Sequence, residues 1–63
     1  MPFRIKEARK EKGYTQEELA RRANVSRVTI IGLENGSITV TTTETLTKIA
    51  GALGKKVSDI FLA

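Results

Sequence analysis

The sequence predicts an all-α domain of five short helices. Three observations carry that expectation. Glycines and hydroxyl residues recur at short intervals and cut the chain into pieces of helical length. Leu46, Ile49, Ala50 and Leu53 fall at i, i+3, i+4 and i+7, the spacing of one buried helical face. The segment richest in β-propensity, Ile38 to Thr43, has no second strand to pair with and reads as loop.

Each element follows from its local residues. Phe3 to Lys12 is charged and keeps Ile5, Ala8 and Arg9 on one narrow inward stripe, a first helix stopped by Gly13. Thr15 and Glu18 stand three apart, the pattern of a capping box, and open a second helix with Leu19, Ala20 and Ala23 inward. That helix ends near Asn24, a residue that tolerates the left-handed conformation of a tight turn. Ser26 is a good N-cap for a third helix, Arg27 to Asn35, which Gly36 closes. Ser37 to Thr42 is a polar loop. Thr41 and Glu44 repeat the capping-box spacing ahead of the fourth helix, and Gly54 ends it. Val57, Ile60 and Phe61 suggest a last short helix, for which Lys56 is a poor cap.

Composition narrows the function classes. Sixty-three residues, 40% of them hydrophobic, allow one small domain spanning residues 1–63. About 60% of the surface of such a chain can be buried, which supports a core but not a large substrate pocket. There is no Cys and no His. Disulfides, histidine or cysteine metal sites and Cys or His catalysis are excluded. Ser26 beside Arg27 offers no base or oxyanion arrangement, so no enzyme, metal or cofactor is expected. No apolar run approaches the ~18 residues of a membrane span, and the first residues lack an apolar signal region. A cytoplasmic protein is expected.

Charge points to a partner. Eleven Lys and Arg oppose seven Asp and Glu, for a net charge of +4. Up to Ile31, Arg4, Lys6, Arg9, Lys10, Lys12, Arg21, Arg22 and Arg27 oppose only Glu7, Glu11, Glu17 and Glu18. From Gly32 onward Lys48, Lys55 and Lys56 balance Glu34, Glu44 and Asp59. All the excess positive charge lies in the first half. It is either a solvated basic face or a surface for a polyanion, and the second reading fits nucleic acid.

The helices around Asn24-Val25-Ser26 are too close in sequence to lie antiparallel, so they cross at about 90–120°. Ala20 and Ala23 leave room for the crossing, and Ile30 with Leu33 anchors the third helix. At about 100° per residue, Val28, Ile31, Gly32 and Asn35 then point broadly outward, with Arg27 at the edge of the first turn. A solvated helix would carry Lys and Glu there. Gly32 costs about 1 kcal/mol relative to Ala, which suits a position where a major groove, ~12 Å wide, approaches the backbone. The alternatives are plain ones. Val28 and Ile31 lie against loops, Gly32 is neutral drift, Arg27 is a surface charge and Gln16 is a helix former.

The stretch YTQEELARRANVSRVTIIGLENG resembles the helix-turn-helix of the phage repressor and Cro family, the XRE family. IKEARKEKG, TLTKIAGALG and VSDIF resemble its first, fourth and fifth helices, so the resemblance covers about residues 4–62. It implies a lambda-repressor-like domain that binds double-stranded operator DNA, usually as a two-fold dimer, with the third helix in the major groove. By resemblance Ser26, Arg27, Val28 and Gly32 face base edges, and Ile31 joins Val28 as a candidate for contact with a thymine methyl. Gln16, Thr29, Asn35, Ser37 and Thr39 match phosphate-facing positions. Arg9 and Glu34 match a buried ion pair. The sequence departs from the family in the loop after the third helix, where Ser-Ile-Thr-Val-Thr-Thr stands in place of Lys or Arg.

The function expected is that of a stand-alone, sequence-specific transcriptional regulator, a repressor. The competing class is a protein-interaction module on the same fold, an antitoxin or a co-regulator. An RNA binder would need more stacking aromatics than Phe3, Tyr14 and Phe61. A chain this short leaves little to cover Val57, Ile60, Phe61 and Leu62, which are expected to form a homodimer interface.

Overall fold

The computed structural model describes residues 3–61. Among them the order is α1 (Ile5–Lys12), α2 (Gln16–Ala23), α3 (Arg27–Asn35), α4 (Thr43–Leu53) and α5 (Val57–Ile60). Leu62, placed by sequence at a dimer interface, lies outside the described residues. No strand forms among them, and Ile38 to Thr42 is irregular up to the start of α4.

Three hydroxyl oxygens start the central helices. Thr15 Oγ1 accepts the Glu18 N–H at 3.0 Å, Ser26 Oγ the Thr29 N–H at 3.2 Å and Thr42 Oγ1 the Thr45 N–H at 3.1 Å. Each satisfies one of the amides a helix start leaves unpaired. The cap of α4 is thus Thr42, not Thr41, and Glu44 does not complete a box. At α2 only half the expected box forms, because the Glu18 carboxylate turns to Arg21 and Arg22. At α5 the weak cap is relieved from inside the helix, where the Asp59 carboxylate accepts the Lys56 N–H at 3.0 Å.

The first helix begins at Ile5, two residues later than its charge pattern suggests. Phe3 is drawn instead into an isolated antiparallel bridge with Phe61. The Arg4 N–H donates to the Ile60 carbonyl at 2.7 Å, and the two phenyl rings lie 5.4 Å apart.

One apolar core runs through the domain. Ile5, Leu19, Ile30, Leu33, Ile49, Leu53 and Ile60 are fully buried, and α2 packs against both α3 and α4. No buried side-chain nitrogen or oxygen among the described residues lacks a hydrogen-bond partner. Ile60 corrects the sequence-based interface. Its exposure is 0%, so it is a core residue of its own domain and presents nothing to a second copy. Val57 is half-buried against the same core, while Phe61 keeps 40% of its surface.

The α2–α3 corner is set by Asn24. Its φ of 57° and ψ of 44° are left-handed, and no other non-glycine among the described residues has positive φ. The Asn24 N–H donates to Arg21 O at 3.2 Å and the Val25 N–H to Ala20 O at 3.0 Å, the paired bonds of a Schellman closure. Val25 then packs against the core, which fixes the angle at which α3 leaves.

Candidate nucleic-acid interface

The start of α3 is open, basic and free of acid. Arg27 is exposed and has no carboxylate partner among the described residues. Val28 is 72% exposed, and no acidic residue lies in the first turn. Ser26 is exposed, but its hydroxyl caps the helix and meets Thr29 Oγ1 at 2.8 Å. Thr29 and Ile31 are half-buried.

Gly32 is the correction in this set. It stands on the outward side of the helix yet is buried. A Cβ at this position would collide with Cδ1 and Cγ1 of Ile38. The Gly32 carbonyl accepts the N–H groups of Gly36 at 3.1 Å and Ile38 at 3.0 Å. The missing side chain therefore makes room for the following loop, and the backbone at Gly32 is not left open for a groove. The loop holds two branched apolar residues, Ile38 and Val40, and no local signal in the sequence separates the one that packs on Gly32 from the exposed one.

Beyond Gly36 the loop is shaped locally. Asn35 Oδ1 accepts the Ser37 N–H at 2.8 Å, and Asn35, Ser37 and Thr39 are all exposed. The Asn35 NH₂ group has no intramolecular partner among the described residues, and no cation lies between Gly36 and Thr42.

Behind this face, one carboxylate joins three helices. Glu34 Oε2 accepts from Arg9 Nε at 2.7 Å and Oε1 from Arg9 Nη2 at 3.0 Å. Arg9 Nη1 donates to the Tyr14 carbonyl at 2.8 Å, and Gln16 Nε2 donates to Glu34 Oε1 at 3.2 Å. The side chains of Arg9 and Glu34 retain 11% and 3% of their exposure. The bidentate fork is a geometry a lysine cannot reproduce. Gln16 is thus half-buried and held at the first turn of α2, with its carbonyl oxygen and second N–H not used by that bond. Sequence reasoning missed both the Gln16 bond and the Tyr14 carbonyl.

The remaining charge is divided. On α2 the Arg21 and Arg22 guanidinium groups both meet Glu18 and hold its carboxyl below the ordinary value. Arg22 also lies over the Tyr14 ring, 4.6 Å from its centre. Arg4, Lys6, Lys10, Lys12, Arg27 and Lys56 have no carboxylate partner among the described residues and supply the unneutralised positive field.

Comparison with known proteins agrees with this geometry. A family model described as helix-turn-helix matches residues 5–60. A protein of Methanothermobacter thermautotrophicus named an uncharacterized HTH-type transcriptional regulator is 49% identical over 59 residues, covering 92% of this chain and 84% of that protein. The crystal structure of the master regulator for biofilm formation SinR in complex with DNA superposes with a TM-score of 0.85 at 36% identity, covering 87% of each chain. The N-terminal DNA binding domain of SinR from Bacillus subtilis gives 0.84 at 36% identity, over 87% of this chain and 80% of that one. With an Asn24 corner joining α2 to an α3 of open first turn, and with these matches across its length, the chain belongs to the helix-turn-helix family of DNA-binding transcriptional regulators of the XRE, or Cro and repressor, type.

Proposed function

We propose that this chain is a cytoplasmic repressor that binds operator DNA sequence-specifically as a two-fold dimer, with α3 in the major groove. The observation that carries the reading is the first turn of α3, where exposed Arg27 and Val28 stand on a helix clamped at both ends. A guanidinium there can bond O6 and N7 of guanine together. Gln16, Thr29, Asn35, Ser37 and Thr39 line the flanks and would bond phosphate oxygens. These contacts position the helix, and Arg27 with Val28 and Ile31 reads bases. The likeness to SinR, whose structure is solved in complex with DNA, supports DNA as the partner. A domain seated this way occludes the DNA it covers, which is the basis for repression, and the reading needs no catalytic group.

The dimer surface that fits is a groove of about 450 Å³ lined by Phe3, Thr39, Val40, Thr41, Thr43, Leu46, Val57 and Phe61. Its lining carries no charge, so two chains of like sign would meet there with least repulsion. Two copies joined this way would present their α3 helices about 34 Å apart, one duplex turn. The same groove favours the second reading, an antitoxin or co-regulator that seats another protein.

Selection from random duplexes tests the proposal. A two-fold operator with salt-sensitive binding supports it, and no DNA binding at about 50 mM salt overturns it in favour of the interaction module. Arg27→Ala should cost about 1–3 kcal/mol on the operator and relax preference at one G·C pair per half-site. A uniform loss on operator and random DNA alike would reassign Arg27 to phosphate.

A further inference from the structure

The recognition face of α3 contains a residue that does not belong to α3. Position 32 points outward on the helix but has no side chain, and the three atoms nearest to a Cβ there all belong to Ile38. Its neighbours on that face are Val28 one turn earlier and Asn35 about one turn later. Ile38 is held over this gap by its own N–H, which donates to the Gly32 carbonyl at 3.0 Å. It is only half-buried, so part of its side chain stays at the surface. The loop thus lays an apolar group where a helix would ordinarily present its own.

We infer that Ile38 is a specificity-determining residue that reads the C5-methyl group of a thymine in the major groove. The inference rests on the reading of α3 as the groove helix. Its chemistry follows from what Ile38 lacks. A branched alkyl group has no donor or acceptor, and the apolar feature that a major-groove base edge offers is the thymine methyl. Val28, 72% exposed on the same face, has the same chemistry. Each half-site should therefore combine a guanine for Arg27 with separate methyl-bearing positions for Val28 and Ile38. Substitution at position 32 would not create this contact, because any Cβ there displaces the residue that makes it.

A uracil scan of the selected operator tests the assignment. Replacing thymine by deoxyuridine removes only the methyl group. With the wild-type protein, one such position per half-site should lose about fourfold in affinity through Ile38, the factor one buried methylene-sized group supplies. In Ile38→Ala that penalty should vanish at that position alone, while the uracil penalty facing Val28 persists. Where Ile38→Ala does not keep its helical circular dichroism, Ile38→Val is read the same way, with the penalty reduced at that one position. Identical uracil penalties in wild type and variant would make Ile38 a packing residue and overturn the inference while leaving the operator reading intact. Failure of the wild-type protein to select any operator overturns the groove reading and this inference with it.

Discussion

Removing Arg9 should come close to unfolding the domain. Arg9→Met deletes three hydrogen bonds, two to Glu34 and one to the Tyr14 carbonyl. Glu34, with 3% of its side chain exposed, is left with the Gln16 amide at 3.2 Å as its one remaining partner. Stranding a buried charge in this way costs about 3–5 kcal/mol. At roughly 0.05–0.15 kcal/mol per residue, the whole domain has about 3–9 kcal/mol to lose. With about 4–8 °C per kcal/mol for a domain of this size, the melting temperature should fall by at least ~12 °C. Glu34→Gln should cost less, because Arg9 keeps the Tyr14 carbonyl and gains an amide oxygen. The double variant should lose less than the two single losses together, by at least about 1 kcal/mol. Urea and thermal melts of the four proteins in one buffer measure the cycle. Raising the salt should change these losses little, since the pair is shielded from solvent. Losses that add to within about 0.5 kcal/mol would show that the two residues are not coupled and would refute the reasoning.

Two further predictions concern other sites. Gly32→Ala should destabilise despite a helical gain of ~1 kcal/mol, because evicting Ile38 costs about 1–3 kcal/mol. In an Ile38→Ala background the same change should become stabilising, and denaturant melts that show the same sign in both backgrounds would contradict the contact. The Glu18 carboxyl, bonded by Arg21 and then by Arg22, should titrate below the ordinary value of 4.5 by NMR. Its pKa is depressed in the folded state, so its small stabilisation is present above that ordinary value and lost as pH falls through the lowered one. An Arg21→Gln, Arg22→Gln chain whose Glu18 still titrates at the lowered value would remove the stated cause.

The sequence was most legible where structure is local. Thr15, Ser26, Asn24 and Gly36 mark the limits of α2 and α3, because caps and left-handed turns depend on neighbours a few residues away. Three consecutive threonines blurred the start of α4, since Thr41 and Thr42 are chemically equal and tertiary packing chooses between them. Longer-range choices were less legible. The helical wheel gave the direction of Gly32 but not the loop that returns over it. It gave no reason for Phe3 to leave α1, because the partner, Phe61, comes from the other end of the described chain. Ile60 was apolar and near the chain end, and burial in its own core competed with use at an interface. At the candidate site, Arg27 and Val28 are exposed on the helix start their sequence suggests, whereas Gln16 is drawn partly inward by a carboxylate eighteen residues away.

The Phe3–Phe61 bridge bears on how long the folded state lasts rather than on how fast it forms. Most close contacts in this domain join residues near one another in sequence, the kind that favours rapid folding. The bridge closes nearly the whole described chain into a ring, so its loop-closure entropy is the largest of any contact named above. Such a contact is expected to form after the transition state and to act as a latch on the finished fold. Phe3→Ala should therefore quicken unfolding in a chevron experiment and leave the refolding limb nearly unchanged. A cell would then register weakening of this latch as faster turnover of the protein.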